Sequence, residues 1–381
     1  MPSSRREPGL FNASGLARRL PVASLLAIGP ARPGPAIRRG FLVAVPVGLS
    51  LVLELGFNAP TKGAIGTGAL LAGFPGLDAP ARPRAAWQAA AAPAIALAGA
   101  LGILSSQTAP TAVLAMALLG AAAGYCFSVS LRLAIYGLSV ALGMLVAQGF
   151  FLPVSDVPAA LLYVTAGGLL QALWSLLVWL FFDRAADDGP SGWDTGRALA
   201  ALRENWTLSS PAARHGIRFG AALGAGVLVY RVFDLEQHGF WIPLTILFVM
   251  RPEREATDQR LVLRAVGTVL GLVIATALAE TLHQDDLVIA LLLTVAAALS
   301  FGLLTVQYAL FTAAITTYVV LMVDTLGEGA WEAAGQRVVG TAVGIAIAFL
   351  AFLVWPNPGE GGGLRRAPAR RRIPPRAGVA R

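Results

Sequence analysis

Long apolar runs recur along the whole chain and are separated by short polar or glycine- and proline-rich segments. Most approach the roughly 17–25 residues that an α-helix needs to cross a bilayer. The pattern therefore predicts an all-α polytopic membrane protein with about 12 transmembrane helices. We place them at 40–57, 63–76, 87–105, 109–129, 131–150, 158–182, 215–233, 239–250, 264–282, 287–303, 305–322 and 337–355.

The second and eighth spans are unusually short and are interrupted. Pro243 lies inside the eighth span, and glycines recur through the second. Interrupted spans at corresponding positions of two halves are typical of the substrate region of a transporter.

Composition agrees with membrane insertion. The chain is 56% hydrophobic and 13% charged, with a mean hydropathy of +0.68. Its net charge of +8 resembles that of a nucleic-acid-binding protein, but the arginines lie in the terminal tails and short loops rather than on one soluble face. Placing both termini in the cytoplasm leaves only Lys62, Arg231 and Arg337 outside, as the positive-inside rule requires. We expect a bacterial inner-membrane protein that contacts lipid and no nucleic acid.

The two halves resemble copies of one six-helix unit. An offset of about 177 residues superposes Pro75 on Pro252 and Ala79 on Ala256. Because six spans return the chain to the same side, the copies should be parallel and related by an axis along the membrane normal, with a substrate path between them. The expected divisions are a disordered basic cytoplasmic arm (1–36), a first repeat (37–182), a cytoplasmic linker with a short helix (183–214), a second repeat (215–356) and a disordered basic tail (357–381).

The pattern R-x-V-G-T-x-x-G occurs twice, beginning at Arg264 and at Arg337. An arginine at a membrane-helix end either extends to lipid headgroups or captures an anion. The assumed topology puts Arg264 at the cytoplasmic mouth and Arg337 at the outer mouth. Thr268 and Thr341 follow in the two motifs; each hydroxyl either bonds to its own helix or lines a polar path.

Glycines four residues apart share a helix face and let helix backbones approach closely. We therefore predict helix-packing roles for Gly216, Gly220, Gly224, Gly267, Gly271, Gly340 and Gly344.

Glu54 lies in the first span, and its repeat counterpart is Arg231. The two could form an ion pair across the axis, or Glu54 could carry a proton. We take both residues as coupling or ion-pair candidates.

Several chemical signatures are missing from the sequence. Lys62 is the only lysine and does not belong to a phosphate-binding loop. The three histidines have no ligand spacing, so no metal site is predicted. We expect no enzyme activity and no cofactor.

The segment from Gly239 to Thr245, followed by Arg251-Pro252, Thr257, Arg260 and the first arginine motif, resembles the fusaric acid resistance-like (FUSC) family. That family includes aromatic acid exporters. The similarity is strong over about 215–355 and weaker over 40–182. Many members carry large cytoplasmic domains, and the short linker and tail here indicate a form that lacks them.

The resemblance implies secondary, ATP-independent export of small aromatic or other organic carboxylates. We expect Arg264, Thr268, Arg337, Thr341, Trp241 and Thr245 along the substrate path. Trp241 has an alternative role in the interfacial aromatic belt. Two alternative functions stay open: a passive organic-anion channel and a non-transporting scaffold. Association into a homo-oligomer or with an accessory subunit is also open.

Overall fold

The computed structural model describes residues 32–56, 63–183, 195–208, 210–235, 239–281, 285–325 and 330–355. Residues 1–31 of the predicted disordered arm and the whole predicted tail lie outside these residues, as do Lys62, His238 and His283. The last residues of the predicted arm are described, and they are helical from Pro33 onward rather than disordered.

All regular elements in the described ranges are helical. The α-helices are α1 (Pro33–Gly56), α2 (Ala64–Gly73), α3 (Ala81–Ser105), α4 (Ala109–Tyr125), α5 (Leu131–Gly149), α6 (Val157–Val178), α7 (Thr195–Glu204), α8 (Pro211–Val232), α9 (Trp241–Val249), α10 (Arg254–Thr281), α11 (Asp286–Leu303), α12 (Tyr308–Asp324) and α13 (Ala330–Val354). Single turns of other helix types occupy Cys126–Ser128, Val154–Asp156 and Trp179–Asp183.

Eight helical segments among the described residues are long and apolar enough to cross a membrane. They are Pro33–Leu55, Ala81–Ser105, Ala109–Ser128, Leu131–Gly149, Val154–Asp183, Arg254–Thr281, Asp286–Leu303 and Ala334–Val354. Two shorter apolar helices, α2 and α12, accompany them. The chain is thus a multi-pass α-helical membrane protein. The helix predicted within the linker is also confirmed, as α7.

Local sequence explains where several helices begin. The hydroxyls of Thr108, Ser130 and Ser210 accept the amide N–H groups of Thr111, Leu133 and Ala213, at 3.4, 3.1 and 3.0 Å. A cap of this kind satisfies an otherwise free helix amide and contributes about 1 kcal/mol. These caps fix the loop-to-helix boundaries of α4, α5 and α8.

The short helices α2 and α9 are buried over most of their length. Gly63 precedes α2 with a φ of 76°, and Gly76 turns the chain after it with a φ of 70°. These left-handed conformations favour glycine. Both helices are therefore held within the bundle.

Two helix pairs cross between the halves of the chain. Helix α1 packs along α11, and α8 packs along α4. Glycines line both contacts: a Cβ added to Gly124 would lie 3.1 Å from the Cα of Gly216, and one added to Gly40 would lie 2.6 Å from the amide nitrogen of Gly302. The backbones approach this closely because the side chains are small.

The hydrophobic core also mixes the halves. One cluster combines residues of α4 and α5 with residues of α8, α9 and α13. The other combines α1 and α2 with α10, α11 and α12. Neither half packs as a separate unit, because the helices of both halves surround one common interior.

Candidate functional site: two buried arginines at a central cavity

A cavity of about 370 Å³ lies between helices from the two halves. Helices α2, α3, α5 and α6 form one side, and α9, α10, α12 and α13 form the other. Its walls are mainly aliphatic and aromatic; the aromatic residues are Phe74, Phe150, Tyr163, Phe240, Trp241, Phe248 and Tyr318. Arg264 and Arg337 interrupt this apolar lining.

Arg264 is fully buried. Its guanidinium carbon lies 5.0 Å from the centre of the Phe248 ring. None of its three guanidinium nitrogens has a hydrogen-bond partner in the described structure. The neighbouring Tyr308 hydroxyl donates to the Phe248 carbonyl oxygen at 3.0 Å. Arg264 therefore has an aromatic neighbour but no anionic one among the described residues.

Arg337 is 1% exposed. Its guanidinium carbon lies 4.1 Å from the centre of the Trp241 ring, a cation–π contact. One terminal nitrogen donates a long hydrogen bond of 3.5 Å to the Thr316 hydroxyl. The other two nitrogens have no partner in the described part of the chain. Trp241 is itself fully buried, so it does not lie in a lipid-facing aromatic belt.

The expectation that the two arginines lie at opposite mouths is not met, since both line one cavity. The reason is that both helices begin earlier than the apolar runs suggested. Arg264 lies about 15 Å along α10, and Arg337 about 10 Å along α13, at 1.5 Å per residue.

The motif glycines explain how the arginines are buried. Three and seven residues after each arginine, a glycine faces the neighbouring helix. A Cβ added to Gly271 would lie 2.5 Å from the Ala313 carbonyl oxygen of α12, and one added to Gly344 would lie 2.7 Å from the Ile242 carbonyl oxygen of α9. Gly267 and Gly340 make similarly close contacts with the same two helices. Each motif thus allows a partner helix to pack closely beside its arginine.

Thr245, Thr268 and Thr341 were predicted along the substrate path; they are buried, but they are not among the residues that line the cavity. Thr268 and Thr341 are 2% and 5% exposed, and neither hydroxyl has a described hydrogen-bond partner. Neither is therefore bonded to its own helix, which was one of the two expected roles. Thr245 behaves differently, because its hydroxyl donates to the Trp241 carbonyl oxygen at 2.9 Å.

Glu54 and Arg231 contact different parts of the bundle in the described structure. The Glu54 carboxylate accepts the amide N–H groups of Ile65 at 2.8 Å and Gly66 at 3.0 Å, so it caps the N-terminus of α2. The positive end of a helix favours a carboxylate there. Arg231 donates to the Ser106 carbonyl oxygen and lies 4.8 Å from the Phe151 ring.

The sequence reasoning missed two threonines on α12. Thr312 and Thr316 are fully buried. They face Gly267 and Gly271 of α10, and the Thr316 hydroxyl lies beside Arg337. The sequence pattern indicates them, because two hydroxyl residues one turn apart in an otherwise apolar helix share one face.

Potential metal ligands do not gather in the described structure, where no group of three or more His, Cys, Asp or Glu residues could hold a metal ion. His215 is fully buried, and its ring stacks on Phe219 at 5.6 Å between centres. His238 and His283 lie outside the described residues.

The fold and this site define a multi-pass α-helical membrane protein with a charged internal cavity. Comparison with known families identifies residues 223–351 as fusaric acid resistance protein-like. This range contains both arginine motifs and most of the helices on their side of the cavity. Residues 223–351 therefore match the fusaric acid resistance-like family, and the resemblance seen in the motifs is confirmed over this range.

Known proteins also resemble this chain over part of its length. "Inner membrane protein YccS" of Escherichia coli is 37% identical over 175 residues, which cover 45% of this chain and 23% of the relative. "Uncharacterized protein slr1298" of Synechocystis is 34% identical over 40% of this chain and 20% of its own length. "Uncharacterized protein ORF2" of Neisseria gonorrhoeae is 27% identical over 46% of this chain and 42% of its own length. The chain thus spans less than half of each of these relatives. No solved structure matches the chain.

Proposed function

We propose that the protein is a secondary transporter of the bacterial inner membrane that exports small aromatic or other organic carboxylates through the central cavity. Both termini are cytoplasmic in this proposal, as the arginine distribution favours. The membrane assignment is supported by the apolar helices and by the printed name of the Escherichia coli relative.

The observation that carries the proposal is the pair of buried guanidinium groups at an apolar cavity. A buried charge is costly unless an opposite charge and hydrogen bonds compensate it. Asp156 is the single acidic residue among the described lining residues, and no described salt bridge involves either arginine. An anionic ligand would supply the missing charge. A carboxylate suits this role, because its two oxygens match the donors of a guanidinium group.

The rest of the cavity supports an aromatic or otherwise apolar body on that ligand. A volume of about 370 Å³ is in the range of small-molecule sites. The Trp241 and Phe248 rings lie beside the two arginines. A ring of the ligand would contact these aromatic walls while its carboxylate meets the guanidinium groups.

The packing between the halves supports two parallel repeats that move against each other. The first long helix of each half packs on the fourth helix of the other half, as α1 with α11 and α8 with α4. A two-fold relation produces reciprocal contacts of this kind. The cavity between the halves could then open alternately to either side of the membrane.

The direct test is efflux of radiolabelled benzoate from cells or proteoliposomes containing equal amounts of protein. We expect Arg264→Gln and Arg337→Gln each to reduce the efflux rate at least tenfold, since loss of a charge-assisted contact weakens binding by that order. Arg132→Gln is the matched control, because Arg132 forms an exposed ion pair with Asp78 at 2.9 Å. Efflux that is unchanged in both cavity variants would remove the arginines from the mechanism.

The same vesicles separate the other functions. Flux that follows membrane voltage and ignores a proton gradient would indicate a passive channel. An absence of wild-type flux, combined with reduced abundance of Arg337→Gln, would indicate a scaffold.

A further inference from the structure

A cluster of polar side chains lies where three mutually packed helices meet. Helices α10, α12 and α13 contact one another, and each contributes two polar residues one turn apart on one face. The six residues of this cluster, which we call the three-helix polar cluster, are Arg264, Thr268, Thr312, Thr316, Arg337 and Thr341.

Three of its four hydroxyls make no hydrogen bond in the described structure. Buried threonines of membrane helices usually donate to a carbonyl of their own helix. Thr276 of α10 does so, to Leu272 at 2.8 Å. The hydroxyls of Thr268, Thr312 and Thr341 do not, although each residue is at most 5% exposed. These three hydroxyls are free to donate to a bound group.

The cluster also carries uncompensated charge. Its two guanidinium groups are buried, and no described salt bridge involves either of them. Water molecules could satisfy the free donors, but they could not neutralise two positive charges in a low-dielectric interior. The arrangement of hydroxyl and guanidinium donors instead suits an anion. The cavity that both arginines line, of about 370 Å³, has room for a small anion beside them.

We propose that the resting protein binds a small inorganic monovalent anion, of which chloride is the representative, at the three-helix polar cluster. The hydroxyls donate to the anion, and the arginines balance its charge. If the proposed function holds, the carboxylate of the transported solute displaces this anion when it enters the cavity. The site then exchanges one anion for another, so that the positive charges of the two arginines always face an anion.

Chloride binding can be measured on purified full-length protein in chloride-free gluconate buffer. We expect chloride and bromide, added at constant ionic strength, to raise the thermal stability of the wild type in a saturable way, since a ligand of the native state stabilises it. Broadening of the chloride NMR line should report the same binding constant. The variant Thr312→Val, which keeps the shape and removes the hydroxyl, should weaken chloride binding about tenfold.

Thr276→Val is the matched control, because it removes a buried hydroxyl of α10 that is already bonded to its own helix. It should leave the chloride constant unchanged. Arg337→Gln should abolish the saturable effect. If the wild type shows no saturable response to chloride or bromide, or if Thr276→Val and Thr312→Val weaken binding equally, the site does not exist as proposed.

Benzoate titrations separate this inference from the proposed function. Competition, seen as an apparent benzoate dissociation constant that rises in proportion to chloride, supports exchange at one site. Benzoate binding that is insensitive to chloride would overturn the exchange and leave the transport proposal standing. Chloride binding without benzoate binding would support the inorganic-anion site and count against the carboxylate as substrate.

Discussion

The contact between α9 and α13 gives a sharp test of how the arginine motif works. Gly340 lies against Trp241: a Cβ built on it would be 2.5 Å from the Trp241 Cβ, whereas ordinary contacts are 3.4–4 Å. Gly335, on the same helix, has no atom of the described residues within 4 Å of an added Cβ. The same substitution to alanine can therefore be compared at a crowded site, Gly340, and at an open one, Gly335.

The expected free energies follow from these distances. The clash at Gly340 requires the two helices to separate by about 1 Å, and overpacking of this kind costs about 1–3 kcal/mol. The better helix propensity of alanine offsets up to about 1 kcal/mol of that cost. Gly335→Ala gains from helix propensity without a clash, so it should stabilise the protein by about 0.5–1 kcal/mol. We expect Gly340→Ala to be about 2 kcal/mol less stable than Gly335→Ala.

The assay is reversible unfolding of the purified protein in mixed micelles, combined with benzoate binding. Separation of the helices should also move Arg337 from its position 4.1 Å over Trp241, so Gly340→Ala should bind benzoate more weakly while Gly335→Ala binds it normally. Equal stability of the two variants would refute the reasoning, because it would show that close packing at Gly340 does not hold α13 against α9.

Two other pairs of variants test the buried polar groups. Glu54→Gln should destabilise the protein by about 2 kcal/mol, because one of two charge-assisted bonds to α2 is lost with the charge. Asp285→Asn, at an exposed cap that makes one such bond at 2.9 Å, should destabilise it by at most about 1 kcal/mol. Equal losses of stability when the two variants unfold in micelles would argue against the α2 cap. Gln88 is fully buried with neither amide atom bonded in the described structure, so Gln88→Leu should be neutral or stabilising by about 1 kcal/mol. Gln148→Leu should lower the stability by about 1–3 kcal/mol, because the Gln148 amide donates to the Ser105 hydroxyl at 2.9 Å and to the Ala112 carbonyl oxygen at 3.2 Å. A Gln88→Leu variant that is less stable than Gln148→Leu would contradict this account.

The motif arginines show both the reach and the limit of sequence reasoning. Their residue type and apolar surroundings marked them as costly and therefore as candidates for function. Their depth was misjudged, because charged residues such as Arg254 and Glu255 open α10 ahead of its apolar run. The apolar pattern marks where a helix becomes hydrophobic, and it does not mark where the helix begins.

The Glu54 and Arg231 pairing shows a second limit. The repeat offset relates the two positions, but equivalence under a pseudo-symmetry does not bring two side chains into contact. Glu54 accepts from the amides that begin the next helix of its own half. The offset in sequence gives no information about a contact of this kind.

The sequence by itself determined the helical membrane class, the short interrupted helices and the family resemblance of the second half, because apolar run length, glycine spacing and the arginine motifs are local properties of the chain. Only the tertiary structure decided that both arginines reach one cavity and that Thr316 of α12 lies beside Arg337. The physical reason is that these neighbours come from helices far apart in sequence. Their side chains meet only where glycine contacts set the distances between helices.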